Sequence, residues 1–139
     1  MNMQTESSTS TLAFTGHFIA YSIPGGHLFF NAKSVSFSDT SIYGTEGLGV
    51  SKFSLSFIGG LPVGTYRFGD GKFTGGFYES GIPDKTYKPY SMYEGSLTFS
   101  ERTGLKNTGS FHVKLVNQRN PNDKLELTGE FNILTIQKT

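Results

Sequence analysis

The residues best suited to ligand contact are concentrated in one stretch of the chain, from Tyr78 to Tyr93. Four of the seven tyrosines fall in these sixteen residues, together with two prolines and several charged side chains. A tyrosine ring offers an apolar face with a polar tip, and carboxylate and ammonium groups hydrogen-bond hydroxyls, so the mixture suits a sugar or a protein surface. The predicted contact residues are Tyr78, Asp84, Lys85, Tyr87, Lys88, Tyr90 and Tyr93.

This stretch is predicted to be a connection longer than most hairpin loops, and long connections on a rigid β scaffold often carry binding sites. Tyr87 and Tyr90 are its strongest candidates, because Pro89 restricts the backbone between them. The alternative is an ordered loop whose tyrosines only cover the open end of the core. Two other connections, 22–27 and 38–49, are secondary candidates, and the second contains Asp39, Tyr43 and Glu46.

Motifs for catalysis or metal binding are weak. The chain has no Cys, which excludes thiol nucleophiles and Cys-ligated metals. His17, His27 and His112 are dispersed, and His17 and His112 are expected to face solvent, so no metal or cofactor site is predicted. No serine lies in a Gly-x-Ser-x-Gly elbow. Two acidic residues can still meet across a cleft as a glycosidase pair, which keeps a hydrolase as a minor alternative.

The charge balance argues against nucleic acid as a partner. Twelve Lys and Arg face eleven Asp and Glu, for a net charge of +1, and basic side chains such as Lys114, Arg119 and Lys124 are interleaved with acids. The apolar runs are too short to span a bilayer. The first residues lack a basic region followed by an apolar stretch, so no signal peptide is predicted, and the expected location is cytoplasmic or reached by a leaderless route.

An apolar alternation with a period of two dominates from Leu12 onward and predicts an all-β fold. Phe53, Leu55 and Phe57 share one face of a strand, whereas on a helix Leu55 would point away from the other two. We predict an antiparallel β-sandwich of about eight to ten strands, with a closed or partly open barrel as the alternative. Residues 1–11 are expected to be a flexible polar tail and 12–139 a single domain.

Two hairpins can be placed in register from the sequence. Asp70-Gly71 is a favoured pair for a two-residue turn, which would set Phe68 against Phe73 and Tyr66 against Gly75. A longer turn through 117–123 would pair 115 with 125, 113 with 127, 111 with 129 and 109 with 131. In that second hairpin two phenylalanines lie across from two glycines, so each ring can fold over its glycine partner.

The C-terminal half carries a recurring pattern of glycines and aromatics, in Gly64-Thr-Tyr66, Glu94-Gly-Ser-Leu-Thr-Phe99, Thr108-Gly-Ser-Phe111 and Thr128-Gly-Glu-Phe131. This pattern resembles small uncharacterised bacterial β-sandwich domains that are often found on lipoproteins. The resemblance covers about half of the chain and implies a fold but no catalytic residue. No lipoprotein leader is predicted at the start of this sequence, and in this respect it is expected to depart from the pattern.

These features favour a non-catalytic binding module, lectin-like or adhesive, that uses the end loops of the sandwich. The expected ligand is a carbohydrate or a protein surface. A protein-interaction factor, such as an immunity protein, an inhibitor or an accessory protein of a toxin or secretion system, is the alternative. The oligomeric state is left open by the sequence.

Overall fold

The computed structural model describes residues 11–46, 51–81 and 86–138, with side chains described for 13–46, 51–77 and 88–136. The strands are β1 (Thr11–Ser22), β2 (Leu28–Asn31), β3 (Ser34–Ser38), β4 (Ser41–Glu46), β5 (Ser51–Phe57), β6 (Gly64–Arg67), β7 (Phe73–Gly81), β8 (Thr86–Arg102), β9 (Lys106–Asn117) and β10 (Asn120–Lys138). A 3₁₀ turn, Phe68–Asp70, lies between β6 and β7. The predicted N-terminal tail lies outside the described residues, except that Thr11 begins β1.

The ten strands of the described residues belong to one antiparallel sheet with the order β2-β1-β10-β9-β8-β7-β5-β4-β3, and β6 pairs with β8 beside this path. The first and last long strands are neighbours, since β1 pairs with β10 from Thr11 opposite Lys138 to Ser22 opposite Leu127. The sheet curls into a half-barrel. The predicted all-β fold is confirmed, and of the two architectures considered the partly open barrel describes the single curled sheet.

The two ends of the sheet are held together by a very short link. The end strands β2 and β3 are separated in the chain by only Ala32 and Lys33. The Ala32 N–H donates to the Phe18 carbonyl in β1 at 3.0 Å, and the Lys33 N–H donates to the Thr45 carbonyl in β4 at 2.7 Å. Since β1 and β4 lie near opposite ends of the sheet order, these bonds require the sheet to curl.

The concave face of the sheet encloses a core rich in phenylalanine. Phe53, Leu55 and Phe57 are buried, as their alternation predicts, while Lys52 on the same strand is exposed. The ring of Phe53 lies 5.1–5.9 Å from four other rings, those of Phe18, Phe30, Phe77 and Phe111. Most of these pairs meet edge to face, the arrangement favoured by the aromatic quadrupole.

The predicted register of β9 and β10 is confirmed. Val113 lies opposite Leu127, Phe111 opposite Gly129 and Gly109 opposite Phe131. A Cβ on Gly129 would come within 2.5 Å of the Phe111 ring, so the ring does fold over its glycine partner. The turn is shorter than predicted: Asn117 already pairs with Asn120, and the three residues 121–123 form a bulge at the start of β10.

The predicted hairpin at Asp70-Gly71 is wrong. β6 and β7 both pair with the same edge of β8, with Arg67 opposite Ser96 and Gly76 opposite Ser91. The chain therefore does not reverse at Gly71; it leaves the edge of β8, passes through the 3₁₀ turn, and resumes in the same direction. Gly71, with φ of 71°, caps this 3₁₀ turn in the left-handed region that also suits a hairpin turn.

The predicted long connection at 78–93 is also wrong, because most of it is strand. Tyr78 lies opposite Pro89 and Gly81 opposite Thr86, so β7 and β8 form a hairpin whose tip falls outside the described residues. Pro89 fits in β8 because its missing N–H costs no ladder bond at the end of the pairing with β9. Its carbonyl accepts a bond from the Gln118 N–H at 2.8 Å, at the β9–β10 turn.

Candidate functional site

A groove crosses the convex face of the sheet where β4, β5, β7 and β8 run side by side. Cross-strand pairing sets Tyr43 beside Ser54, Ser54 beside Gly76, and Gly76 beside Ser91. These residues point outward because they alternate with core residues on the same strands. The row places one aromatic ring beside a floor of small residues, two serines and a glycine.

The walls of this groove come from the neighbouring row of the sheet. Lys52 and Pro89 line it with Tyr43, Ser54 and Gly76, around a volume of about 370 Å³. This volume lies within the range of small-ligand sites, about 300–1,000 Å³. Gly76 keeps the floor low, since even a Cβ there would lie 3.0 Å from the Tyr90 carbonyl.

Tyr43 was expected in a connection but lies in β4, with 37% of its surface exposed. Lys52, Ser54 and Gly76 were not predicted as contact residues at all. Their only signal in the sequence is that they occupy outward positions of two predicted strands. Which outward positions become neighbours depends on strand order, which the local pattern does not contain.

The structure places Tyr90, a predicted contact residue, in the core. Its side chain is 6% exposed, and its ring lies 6.1 Å from that of Phe77. Its hydroxyl donates to Asp123 Oδ2 at 2.7 Å, and Asn117 Nδ2 donates to the same oxygen at 3.1 Å. The pKa of Asp123 is lowered, mostly by the hydrogen bond from Asn117 and then by the bond from Tyr90. The positive charge of Lys88 also lowers it. Tyr90 is thus a core ring with a satisfied hydroxyl, and it also borders the groove beside Gly76, where its carbonyl lies close to the floor. Its contact with a ligand stays a prediction.

The other predicted contact residues are spread over the hairpin. Lys88 is exposed, and Tyr93 is exposed with Lys124 Nζ 5.5 Å from its ring centre. The backbones of Tyr78 and Tyr87 lie in β7 and β8, but their side chains are outside the described set. Asp84 and Lys85 lie wholly outside the described residues.

A second, smaller depression on the convex face is lined mostly by charged side chains, and we call it the charged hollow. Arg67, Ser96 and His112 form one row across β6, β8 and β9. Glu94 and Lys114 form the next row, with Lys114 Nζ 3.5 Å from Glu94 Oε2. These side chains and the backbone of Gly95 surround about 140 Å³.

Two histidines on the convex face hydrogen-bond to glutamates. His112 Nε2 lies 2.5 Å from Glu126 Oε2, and His17 Nε2 lies 3.1 Å from Glu130 Oε2. The prediction that both histidines point toward solvent is confirmed. Ser96 is the cross-strand neighbour of His112.

One end of the half-barrel is closed by Arg102. Its guanidinium lies 4.3 Å from the ring centre of Phe99 and also stacks near Phe37 and Phe57. Nη1 donates to the Leu61 carbonyl, and Nη2 lies 3.5 Å from Asp39 Oδ1. With its side chain 11% exposed, Arg102 caps the core at this end.

In the part of the chain that the structure describes, no three His, Asp or Glu side chains are grouped as metal ligands. Within the same ranges, no helix has the length and apolar character needed to cross a membrane. Comparison of the chain with protein-family models, with curated proteins and with solved structures finds no match. The resemblance to bacterial β-sandwich domains therefore stays a prediction, and function has to be inferred from the surface chemistry of the sheet.

Proposed function

We propose that the protein is a non-catalytic carbohydrate-binding module that holds a sugar in the groove beside Tyr43. The observation that supports this is an exposed tyrosine ring next to a floor of small residues, Ser54 and Gly76. The C–H groups of a sugar ring pack on the electron-rich face of an aromatic ring. Serine hydroxyls and the Lys52 ammonium then supply hydrogen bonds to the sugar hydroxyls.

The groove is open and shallow, which favours one or two sugar units over a large enclosed ligand. Its floor lies on β5 and β7, both inside the sheet, so the residues are held in position without a ligand. Such preorganisation lowers the entropic cost of binding. Rigid strands, and not the end loops expected from the sequence, would then form the site.

A second candidate function, a protein-interaction factor, is favoured by an exposed apolar patch at the β8–β9 end of the sheet. Leu105 is 65% exposed and Leu134 is 40% exposed, and the Thr135 N–H bonds to the Leu105 carbonyl, so the two leucines are neighbours. Exposed apolar clusters mark interaction sites more often than single residues do. A Leu105→Ser variant that loses a protein partner while keeping glycan binding would favour this function, whereas unchanged partner binding would remove it.

The carbohydrate proposal is tested by a glycan array followed by calorimetric titration of the best-bound glycan. Tyr43→Ala should weaken binding by about tenfold or more, because it removes the stacking surface. Tyr43→Phe keeps the ring and should stay within about threefold of the wild type, since one neutral hydrogen bond contributes little net free energy.

The matched control is Tyr93→Ala, which removes another exposed tyrosine that lies outside the groove. It should bind like the wild type. The proposal is overturned if the wild type binds no glycan, or if Tyr43→Ala binds normally with an unchanged melting temperature. Loss of binding in Tyr93→Ala alone would instead place the ligand along the 78–93 hairpin.

A further inference from the structure

The charged hollow shares no lining residue with the groove beside Tyr43. We propose that it is a binding site for a small oxyanion, the carboxylate, sulfate or phosphate group of a ligand, held by Arg67, Lys114 and Ser96. Cations from two strands and a hydroxyl from a third converge there on about 140 Å³, a volume suited to a single acidic group.

Arg67 is the principal hydrogen-bond donor to the bound anion. It is exposed on β6, and no carboxylate of the described chain lies within salt-bridge distance of its guanidinium. The planar guanidinium presents paired N–H groups that match two oxygens of a carboxylate or phosphate. Its donors are therefore available to a ligand without first breaking an ion pair.

Lys114 adds a second positive charge that is only weakly engaged. Its contact with Glu94 is long, at 3.5 Å, and Glu94 is 65% exposed. Exposed ion pairs of this kind contribute little free energy, so a ligand oxyanion can replace the Glu94 contact at small cost. Ser96 lies between Arg67 and His112 in its row, where its hydroxyl can donate to the same anion.

The other titratable groups around the hollow are a histidine and nearby carboxylates. His112 is engaged through Nε2 with Glu126, which leaves Nδ1 as its second ring nitrogen. Glu94 lines the hollow, against the two fixed positive charges of Arg67 and Lys114. Glu126, the cross-strand partner of Lys114, lies beside the hollow and is engaged with His112. An oxyanion is therefore attracted by the pair of cations and repelled by Glu94, and removing Glu94 should strengthen its binding.

The test is a titration of the intact protein with sodium sulfate, followed by backbone amide shifts, against sodium chloride at matched ionic strength. Sulfate should move the amides of Arg67, Ser96 and Lys114 saturably, and chloride should not. Arg67→Gln should raise the dissociation constant by about tenfold, the effect of losing a charge-assisted bond. Glu94→Gln should lower it by about threefold or more, since it removes the opposing charge.

Lys72→Gln is the matched control, because it removes one positive charge from an exposed turn outside the hollow. It should titrate like the wild type. Equal shifts in sulfate and chloride, or unchanged titrations of both Arg67→Gln and Glu94→Gln, would overturn the proposal. The Tyr43→Ala variant should keep its sulfate response, so failure of the carbohydrate proposal and failure of this one can be told apart.

A parallel titration with inorganic phosphate and with glucuronic acid, compared with glucose, identifies the source of the oxyanion. Tighter binding of glucuronic acid than of the free ions assigns the hollow to the acidic group of a sugar. Tighter binding of a free ion assigns it to a small anion alone. Either result requires glucose to leave the amides of the hollow unmoved, and a response to glucose equal to that of glucuronic acid would count against the site.

Discussion

Gly129 offers the sharpest mutational test of the sheet. A Cβ at this position would lie 2.1 Å from the carbonyl oxygen of Ile19 in β1 and 2.5 Å from the tip of the Phe111 ring. Real Cβ contacts essentially never fall below 3.0 Å, so Gly129→Ala forces a shift of about 1 Å between β10 and a backbone atom of the neighbouring strand. A backbone carbonyl cannot move aside as a flexible side chain can.

Overpacking of this kind costs about 1–3 kcal/mol, and the involvement of backbone puts Gly129→Ala near the upper end. Thr128→Val is the matched control. It keeps a β-branched side chain on the exposed face and loses only the bond from Thr128 Oγ1 to the Phe111 carbonyl at 3.3 Å. That long, partly buried bond is expected to contribute about 0.5 kcal/mol.

Urea unfolding followed by circular dichroism measures the difference. With an m value of about 2 kcal/mol per molar, Gly129→Ala should unfold about 1 M earlier than the wild type, and Thr128→Val within about 0.3 M. Adding Phe111→Leu to Gly129→Ala should not restore the midpoint, because the Ile19 carbonyl remains in the way. Equal midpoints for the two single variants, or restoration by Phe111→Leu, would refute the close approach of β1 and β10.

The remaining predictions concern Asp123 and Arg102. Tyr90→Phe should destabilise the protein by about 1–2 kcal/mol in urea unfolding, because it removes one of the two donors to Asp123. The pKa of Asp123 is lowered below its ordinary value of 3.8, so its stabilising bonds are fully present above that pH and are lost as pH falls through the folded pKa. The difference in melting temperature between wild type and Asp123→Asn should therefore shrink below about pH 4, and a constant difference from pH 3 to pH 6 would contradict this. Arg102→Lys should lower stability by about 2 kcal/mol, because lysine cannot stack a planar cation on Phe99 while also bonding to the Leu61 carbonyl. A melting temperature equal to that of the wild type would show that Arg102 does not cap the core.

Strand pairings between segments that are adjacent in the chain can be predicted from this sequence. Pairings with a strand far away in the chain cannot. β9 and β10 follow each other along the chain, and the two phenylalanine and glycine pairs allow only one register, so the sequence predicts this register correctly although the turn is shorter than predicted. Asp70-Gly71 has the same local signal as a hairpin turn. The difference lies in β8, a strand of seventeen residues that is long enough to pair with both β6 and β7 along one edge.

The candidate sites also depend on residues that are far apart in the chain and meet only in the folded sheet. Tyr43 and Pro89 are 46 positions apart in the chain and meet only because β4, β5, β7 and β8 are adjacent in the sheet. The composition of 78–93 favours a loop, whereas most of this stretch is strand. At Tyr90 the hydroxyl that suggested a surface role is satisfied by Asp123, a residue 33 positions away that no local pattern connects to it.

The pairing of β1 with β10 has a consequence for how the protein is made. The strands β7 to β10 follow one another both in the chain and in the sheet, so they can pair soon after synthesis. β1 is synthesised before the other described strands. Its Thr11 can pair only after Lys138, the last described residue, has been synthesised. Closing so long a loop is entropically costly and slow. Until it closes, β10 presents an open hydrogen-bonding edge, and the nascent chain depends on keeping that edge apart from other chains.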